Sequence, residues 1–133
     1  MILPRALILA ALLLAGCAGQ PAPRPEPAAR PEPVPTDSER LIQRIERENG
    51  PEAAARVSHW FALIQQGKSA PDPERLRLAN NFFNAARFTT DPAVWQQQDY
   101  WATPIEFLIK DAGDCEEFAI AKYFTLSRMG IAE

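Results

Sequence analysis

Apolar residues recur at intervals of three and four along most of the chain after position 36. The clearest stripe is Val57, Trp60, Phe61 and Ile64, which occupies one face of an amphipathic helix. The segments 41–45, 76–86 and 118–126 carry apolar residues at similar spacing. The pattern therefore predicts a domain built almost entirely from helices. Because the 118–126 segment is apolar on nearly every side, we expect that helix to be central and buried.

Start and stop signals bound these predicted helices. A capping residue is followed three positions later by glutamate in three places, which are Thr36–Glu39, Thr103–Glu106 and Asp114–Glu117. Prolines suited to a first helical turn, and glycines or an asparagine suited to a helix end, mark the other boundaries: Pro51, Pro73, Pro104, Asn49, Gly50, Gly67 and Gly130. Residues 88–90 are predicted to be extended and residues 111–113 to form a loop. Trp95 and Trp101 are expected to pack in the core, with lining of a substrate cleft as the alternative role.

The first third of the chain has a different character. Residues 1–16 combine one early arginine with an uncharged apolar run too short to span a bilayer, as expected for a signal peptide. The run ends at Cys17 in a sequence that resembles the bacterial lipobox, so Cys17 is predicted to be lipidated. Residues 17–36 form a proline-rich linker that favours polyproline II, as a spacer or a ligand for a partner. The domain is predicted to occupy residues 37–133.

This leader predicts a periplasmic protein held on a membrane by its lipid anchor. Several acyl chains on Cys17 would make the attachment stable. Ala18, which follows the cysteine, favours the outer membrane of a Gram-negative bacterium by resemblance to known lipoproteins. The net charge of −3 gives no basic patch and argues against nucleic acid as a partner.

Cys115 is the candidate reactive residue. With Asp114 as the helix cap, Cys115 is the first helical residue, where free N–H groups and the helix dipole favour a thiolate. Asp114, Glu116 and Glu117 surround it with negative charge, which disfavours a thiolate. A bound cation would resolve this conflict, and hard carboxylate ligands suit calcium. The alternatives are a structural cysteine beside two capping residues and one solvated glutamate.

A longer run of motifs carries a family resemblance. It comprises Asn81-Phe82-Phe83-Asn84, then Asp91 with Trp95, then the stretch 99–107, and finally the stretch 113–126 around Cys115. These residues resemble the bacterial transglutaminase-like cysteine peptidases, in particular the LapG-like periplasmic adhesin proteases. At 117 and 118 this chain has Glu-Phe where the family usually has Asp-Tyr.

The resemblance implies an α+β fold of the papain-like, transglutaminase-like type, of which mainly the helical N-terminal part is present. It implies that Cys115 is a nucleophile, served by a histidine and then an aspartate from later strands. Both are expected after Glu133, so the chain is expected to be incomplete and inactive alone, and whether it is an enzyme stays open. The only histidine, His59, precedes Cys115 and is expected to be a partly exposed helical residue. Asp99 and Asp111 are interpreted as loop or cap residues.

The same resemblance implies calcium bound by Asp114, Glu116 and Glu117. It implies a large surface adhesin as substrate and an inner-membrane cyclic-di-GMP receptor as regulator. The alternative function is a non-catalytic lipoprotein that binds a partner of the protease system. A third hypothesis keeps the thioester but transfers the acyl group to an amine, as transglutaminases do.

Overall fold

The computed structural model of the protein describes residues 35–131. The predicted leader, Cys17 and nearly all of the predicted linker lie outside the described residues, as do the last two residues. None of the helices in the described part combines the length and apolar character needed to cross a bilayer.

Six helices and two very short strands make up this part of the chain. The helices are α1 (Asp37–Asn49), α2 (Pro51–Lys68), α3 (Asp72–Phe83), α4 (Asp91–Val94), α5 (Pro104–Lys110) and α6 (Cys115–Met129), and the strands are β1 (Arg87–Phe88) and β2 (Ala112–Gly113). The arrangement is a partial α+β fold, mostly helical, as the resemblance implied, and its sheet consists of two short parallel strands.

The capping signals predict the helix starts well. All three capping boxes are present, with Thr36, Thr103 and Asp114 as the N-cap residues. Gly50 ends α1 and Gly130 ends α6, both with positive φ. The prediction differs at α3, where Pro71 is the N-cap residue and no side chain caps the helix.

The core lies around α2, which contacts α1, α3, α5 and α6. Val57 and Trp60 of α2 are almost fully buried, as are Phe83 of α3 and Phe107 of α5. Burying side chains of this size contributes roughly 1.5–3 kcal/mol each relative to leaving them in water. This cluster therefore supplies the platform on which α5 and α6 are placed.

Helix α6 is only partly buried, which corrects the prediction of a helix buried on all sides. Its buried residues form one stripe at intervals of four: Glu117, Ala121, Thr125 and Met129. Trp60 Nε1 donates a hydrogen bond of 2.8 Å to Thr125 Oγ1 within this stripe. Tyr123 and Phe124 are 51% and 42% exposed. Apolar composition alone did not reveal this, because it cannot tell which sides of a helix receive neighbours.

Helix α5 is fixed at its N-terminus by a dense set of hydrogen bonds. Glu106 Oε2 accepts from Thr103 N and Oγ1, and Tyr100 Oη donates to Glu106 Oε1, all at 2.8 Å. Burial raises the pKa of Glu106, but the hydrogen bonds from Thr103 and Tyr100 outweigh it and leave the pKa below its ordinary value.

Candidate functional site

Cys115 is the first residue of α6, and its side chain is exposed. Asp114 precedes it in an extended conformation and accepts a hydrogen bond of 3.2 Å from Glu116 N at Oδ1. The N–H groups of a first helical turn have no acceptor within the helix. The thiol therefore lies where the positive end of α6 meets solvent, as the sequence predicted.

Glu117 holds the start of this helix against the preceding loop. Its side chain is completely buried, and its Oε2 accepts from Asp114 N at 3.0 Å. Oε1 accepts from Ala102 N at 3.1 Å, in the segment that leads into α5. The capping role predicted for Glu117 is thus present. The second bond joins two segments fifteen residues apart and fixes the N-terminus of α6.

The turn between α5 and Cys115 is fixed from the opposite side by α2. Arg56 donates to the carbonyl oxygens of Leu108 and Ile109 at 2.7 and 2.9 Å. These carbonyls lie in the last turn of α5, which leaves them without helical partners. Asp111 then adopts a left-handed conformation with φ of 53° and reverses the chain.

Residues 111–113, predicted as a loop, include a strand. Ala112 and Gly113 pair in parallel with Arg87 and Phe88, and Thr89 N donates to Gly113 O at 2.8 Å. The extended piece predicted at 88–90 therefore begins one residue earlier and ends two residues earlier than predicted. A strand of two residues has no periodicity to detect, and only its distant partner defines it. The pairing places the segment before α4 beside the segment before Cys115.

This pairing also brings a third carboxylate to the site. Oxygens of Asp91, Asp114 and Glu117 all lie within 4.8 Å of one another. Of the three ligands that the resemblance implied, the structure brings together Asp114 and Glu117. Glu116, which is exposed, does not belong to the cluster, and Asp91 from α4 takes part instead. Sequence spacing gave no signal for Asp91, which precedes Asp114 by more than twenty residues and begins a separate short helix.

Asp91 is the strongest indication that the cluster can hold a cation. The residue is 6% exposed, and its Oδ2 accepts from Tyr100 N at 2.7 Å. Its Oδ1 is buried and has no hydrogen-bond partner among the described residues. A buried carboxylate oxygen without a partner is costly unless a donor or a metal ion satisfies it.

The separation of the three oxygens, at most 4.8 Å, is compatible with a hard cation such as calcium. Ligand distances of about 2.3–2.6 Å, as calcium prefers, place oxygens on opposite sides of the ion about 5 Å apart. Because a carboxylate oxygen has two lone pairs, Glu117 can keep its N–H partners and still bind an ion. Asp91, Asp114 and Glu117 therefore fit such an ion in both chemistry and spacing.

The negative charge next to Cys115 extends onto the surface. A hydrogen bond to the Asp114 side chain, together with the charge of Asp114 and Glu117, raises the pKa of the Glu116 carboxyl. The acidic surroundings that the sequence predicted around Cys115 are therefore present. A cation between Asp91, Asp114 and Glu117 would offset part of this negative charge.

A groove of about 480 Å³ opens beside Cys115. The residues that line it are Asn84, Ala86, Phe88, Cys115, Phe118, Ala119 and Lys122. His59 is exposed on α2, packs edge-on against Phe82, and does not line this groove. Its predicted role as an ordinary helical residue agrees with this position. Asp99 accepts a hydrogen bond from Trp101, Asp111 ends α5, and neither lines the groove at Cys115.

A second groove, of about 650 Å³, lies on the other side of α6 and is mostly apolar. Trp101 lines it and is 67% exposed, which corrects the prediction that Trp101 packs in the core. Trp95 is half-buried and stacks on Tyr100 with 4.6 Å between ring centroids.

Comparisons with solved structures show proteins similar to this chain. No family model matches the chain, and no curated protein matches it significantly. Among solved structures, calcium-bound LapG of Legionella pneumophila matches with 38% identity and a TM-score of 0.59, over 70% of this chain and 51% of that one. A second LapG structure matches with 38% identity and a TM-score of 0.59, over 70% of this chain and 50% of that one. An EGTA-treated LapG structure matches with 37% identity and a TM-score of 0.59, over 74% of this chain and 53% of that one.

The chain spans about half the length of the LapG structures that it matches. This partial coverage is consistent with the expectation that the N-terminal part of the fold is present. Identity of 37–38% over a shared fold goes beyond a likeness of architecture. The chain is a relative of LapG and carries part of the transglutaminase-like cysteine peptidase fold.

Proposed function

We propose that this chain carries the nucleophile and the cation site of a calcium-dependent cysteine endopeptidase. One observation carries the proposal: Cys115 lies exposed at the N-terminus of α6, directly beside a buried carboxylate cluster with an unpartnered oxygen. The relative with this fold is known in a calcium-bound form.

The thiolate of Cys115 would attack a peptide carbonyl and form a thioester as the C–N bond breaks and the amine leaves with a proton from the general acid. Water would then hydrolyse the thioester, releasing the carboxylic acid and restoring the thiol. The N–H groups of Glu116 and Glu117 are bonded to the Asp114 side chain, so the N–H of Cys115 is the one that would receive the negative oxygen of the tetrahedral intermediate. Asp114 and Glu117 fix the start of this helix through their reciprocal hydrogen bonds, so they position the thiol. Calcium held by Asp91, Asp114 and Glu117 would supply positive charge close to the thiolate.

The proposal needs a general base that the described residues do not place at Cys115. By the family resemblance this is a histidine oriented by an aspartate, and we propose that both come from other parts of the complete protein. Because of this requirement, a non-catalytic lipoprotein remains the second candidate function. A lipoprotein that binds a partner of the protease system needs no base, and no histidine of residues 35–131 lines the groove at Cys115.

We further propose that the protein acts in the periplasm, attached through Cys17, on a large surface adhesin. An inner-membrane cyclic-di-GMP receptor would be its regulator. The lipobox-like sequence supports the location, and the resemblance supports the partners. A Cys17→Ala variant should move from the membrane fraction to the soluble periplasm. A variant that still sediments with membranes would contradict the anchor.

The proposed function is tested by replacing Cys115 with alanine in the chromosomal gene of the producing bacterium. Adhesin cleavage, followed by immunoblot of cells and medium, should be lost as completely as in a gene deletion. Ser127→Ala, an exposed substitution of similar size on the same helix, serves as the control. If cleavage requires the gene but not Cys115, Cys115 is not the nucleophile, and the protein acts as a non-catalytic lipoprotein. Product analysis with an added amine distinguishes hydrolysis from acyl transfer.

A further inference from the structure

The groove beside Cys115 follows one face of α6. Cys115 and Lys122 both line it, and they are seven residues apart on the same helix. Seven residues are almost two full turns, so the two residues lie on the same face, and their backbone positions are about 10 Å apart along the axis. Phe118 and Ala119 lie between them, and Phe88 of β1 contributes to the apolar wall.

Lys122 is the only charged residue among those that line the groove. Its Nζ donates a 2.7 Å hydrogen bond to Asn84 Oδ1 and lies 5.8 Å from the centre of the Phe118 ring. Within residues 35–131, the ion pairs are Arg40–Asp37, Arg75–Asp72 and Arg77–Glu74, so no described carboxylate neutralises Lys122. A neutral partner holds the ammonium group in place and leaves its charge available to a ligand.

We propose that this groove binds an extended peptide and that Lys122 selects a carboxylate side chain in it. An extended chain advances about 3.3 Å per residue, so 10 Å corresponds to about three residues. Lys122 therefore recognises an aspartate or glutamate about three residues from the carbonyl that Cys115 attacks. The apolar wall contacts the residues between. This inference rests on the proposed role of Cys115 as the nucleophile.

Labelling of Cys115 tests this selection and does not require the complete catalytic machinery. Heptapeptides carry a chloroacetamide on the central side chain, with Glu, Gln or Lys placed three residues before or after it. The second-order rate of alkylation at Cys115 is measured by peptide mapping, because the chain has a second cysteine. Lys122→Met keeps the length of the side chain and removes its charge. Lys68→Met, on exposed α2 surface, is the matched control.

In the wild-type chain the Glu peptide should react about three- to fivefold faster than the Gln peptide, in one of the two orientations, as expected for a partly exposed ion pair. The preference should disappear in Lys122→Met, persist in Lys68→Met, and weaken at higher salt. Lys122→Glu should reverse it in favour of the Lys peptide. Equal rates for Glu and Gln peptides in wild type, or a preference that survives Lys122→Met, would overturn the inference.

The rate of alkylation of Cys115 by iodoacetamide tests the proposed function separately from the selectivity of the groove. The reagent is too small to reach Lys122 from Cys115, so its rate measures the intrinsic reactivity of the thiol in each variant, and the peptide rates are divided by it before they are compared. A rate no higher than that of an unfolded cysteine peptide would count against an activated nucleophile. The preference among the peptides would still report on Lys122.

Discussion

Replacing Asp91 with asparagine should have opposite effects on stability with and without calcium. Asp91 Oδ2 accepts from Tyr100 N, Oδ1 has no partner, and one oxygen of this carboxylate lies within 4.8 Å of oxygens of Asp114 and Glu117. Asparagine has the same shape. It can keep its oxygen at Tyr100 N and place its NH₂ group where Oδ1 was, as a donor for a neighbouring carboxylate.

Without a cation, the substitution should stabilise the fold. It removes one of three clustered negative charges and replaces repulsion with a hydrogen bond, for which a net contribution of about 1 kcal/mol is reasonable. For a domain of this size, 1 kcal/mol raises the melting temperature by roughly 4–8 °C. In EGTA, Asp91→Asn should therefore melt a few degrees above wild type.

With calcium the order should reverse. A ligand at one hundred times its dissociation constant stabilises the folded state by about 2.7 kcal/mol. That gain corresponds to a rise of roughly 10–20 °C in wild type. Asp91→Asn lacks one of the three carboxylate ligands, so most of this rise should be lost, and the variant should melt below wild type.

The measurement is thermal unfolding by circular dichroism, in EGTA and in excess calcium, with magnesium as an ion control. Asp99→Asn makes the same chemical change on an exposed side chain and should behave as wild type in both buffers. The reasoning is refuted if Asp91→Asn keeps the full calcium shift. It is equally refuted if the variant is less stable than wild type in EGTA, because repulsion among the three carboxylates would then not destabilise the wild-type fold.

Three further substitutions test the packing and the hydrogen bonds. Thr125→Val leaves the buried Trp60 Nε1 without its acceptor and should cost about 1–3 kcal/mol of unfolding free energy in urea titration; a neutral result would mean that water replaces the hydroxyl. Gly113→Ala places a Cβ 2.8 Å from the Cβ of Glu117, so overpacking should cost about 1–3 kcal/mol of unfolding free energy. Because Glu117 is a proposed calcium ligand, the rise in melting temperature caused by calcium should also become smaller, and an unchanged rise would contradict this expectation. The pKa of Glu106 is below its ordinary value of 4.5 in the folded state, so its ionised form stabilises the fold at higher pH and this contribution is lost as pH falls through the folded pKa. Stability measured between pH 5 and about pH 3 should therefore depend less on pH in Glu106→Gln, and an unaltered slope would contradict the assignment.

The helix boundaries could be predicted because their causes are local. Each capping box joins two residues three positions apart, and the structure contains all three, including the one that places Cys115 first in α6. The family resemblance was likewise readable from contiguous motifs, and the similarity to LapG confirms it.

The prediction was wrong where the cause was distant in sequence. The exposure of Tyr123, Phe124 and Trp101 depends on which faces receive neighbours, and composition does not contain that information. The strand at Ala112–Gly113 exists only because Arg87 and Phe88 lie beside it.

The sequence by itself determined the helices, the position of Cys115 at a helix start, and the acidic character of its surroundings, because caps and apolar stripes act within one or two turns. Only the tertiary structure decided which carboxylates meet. Pairing of β1 with β2 brings Asp91 to Asp114 and Glu117, and the exposed Glu116 lies outside that cluster. The physical reason is that cation ligands must converge in space within a few ångströms, whereas neighbours in a helix sequence point in directions about 100° apart.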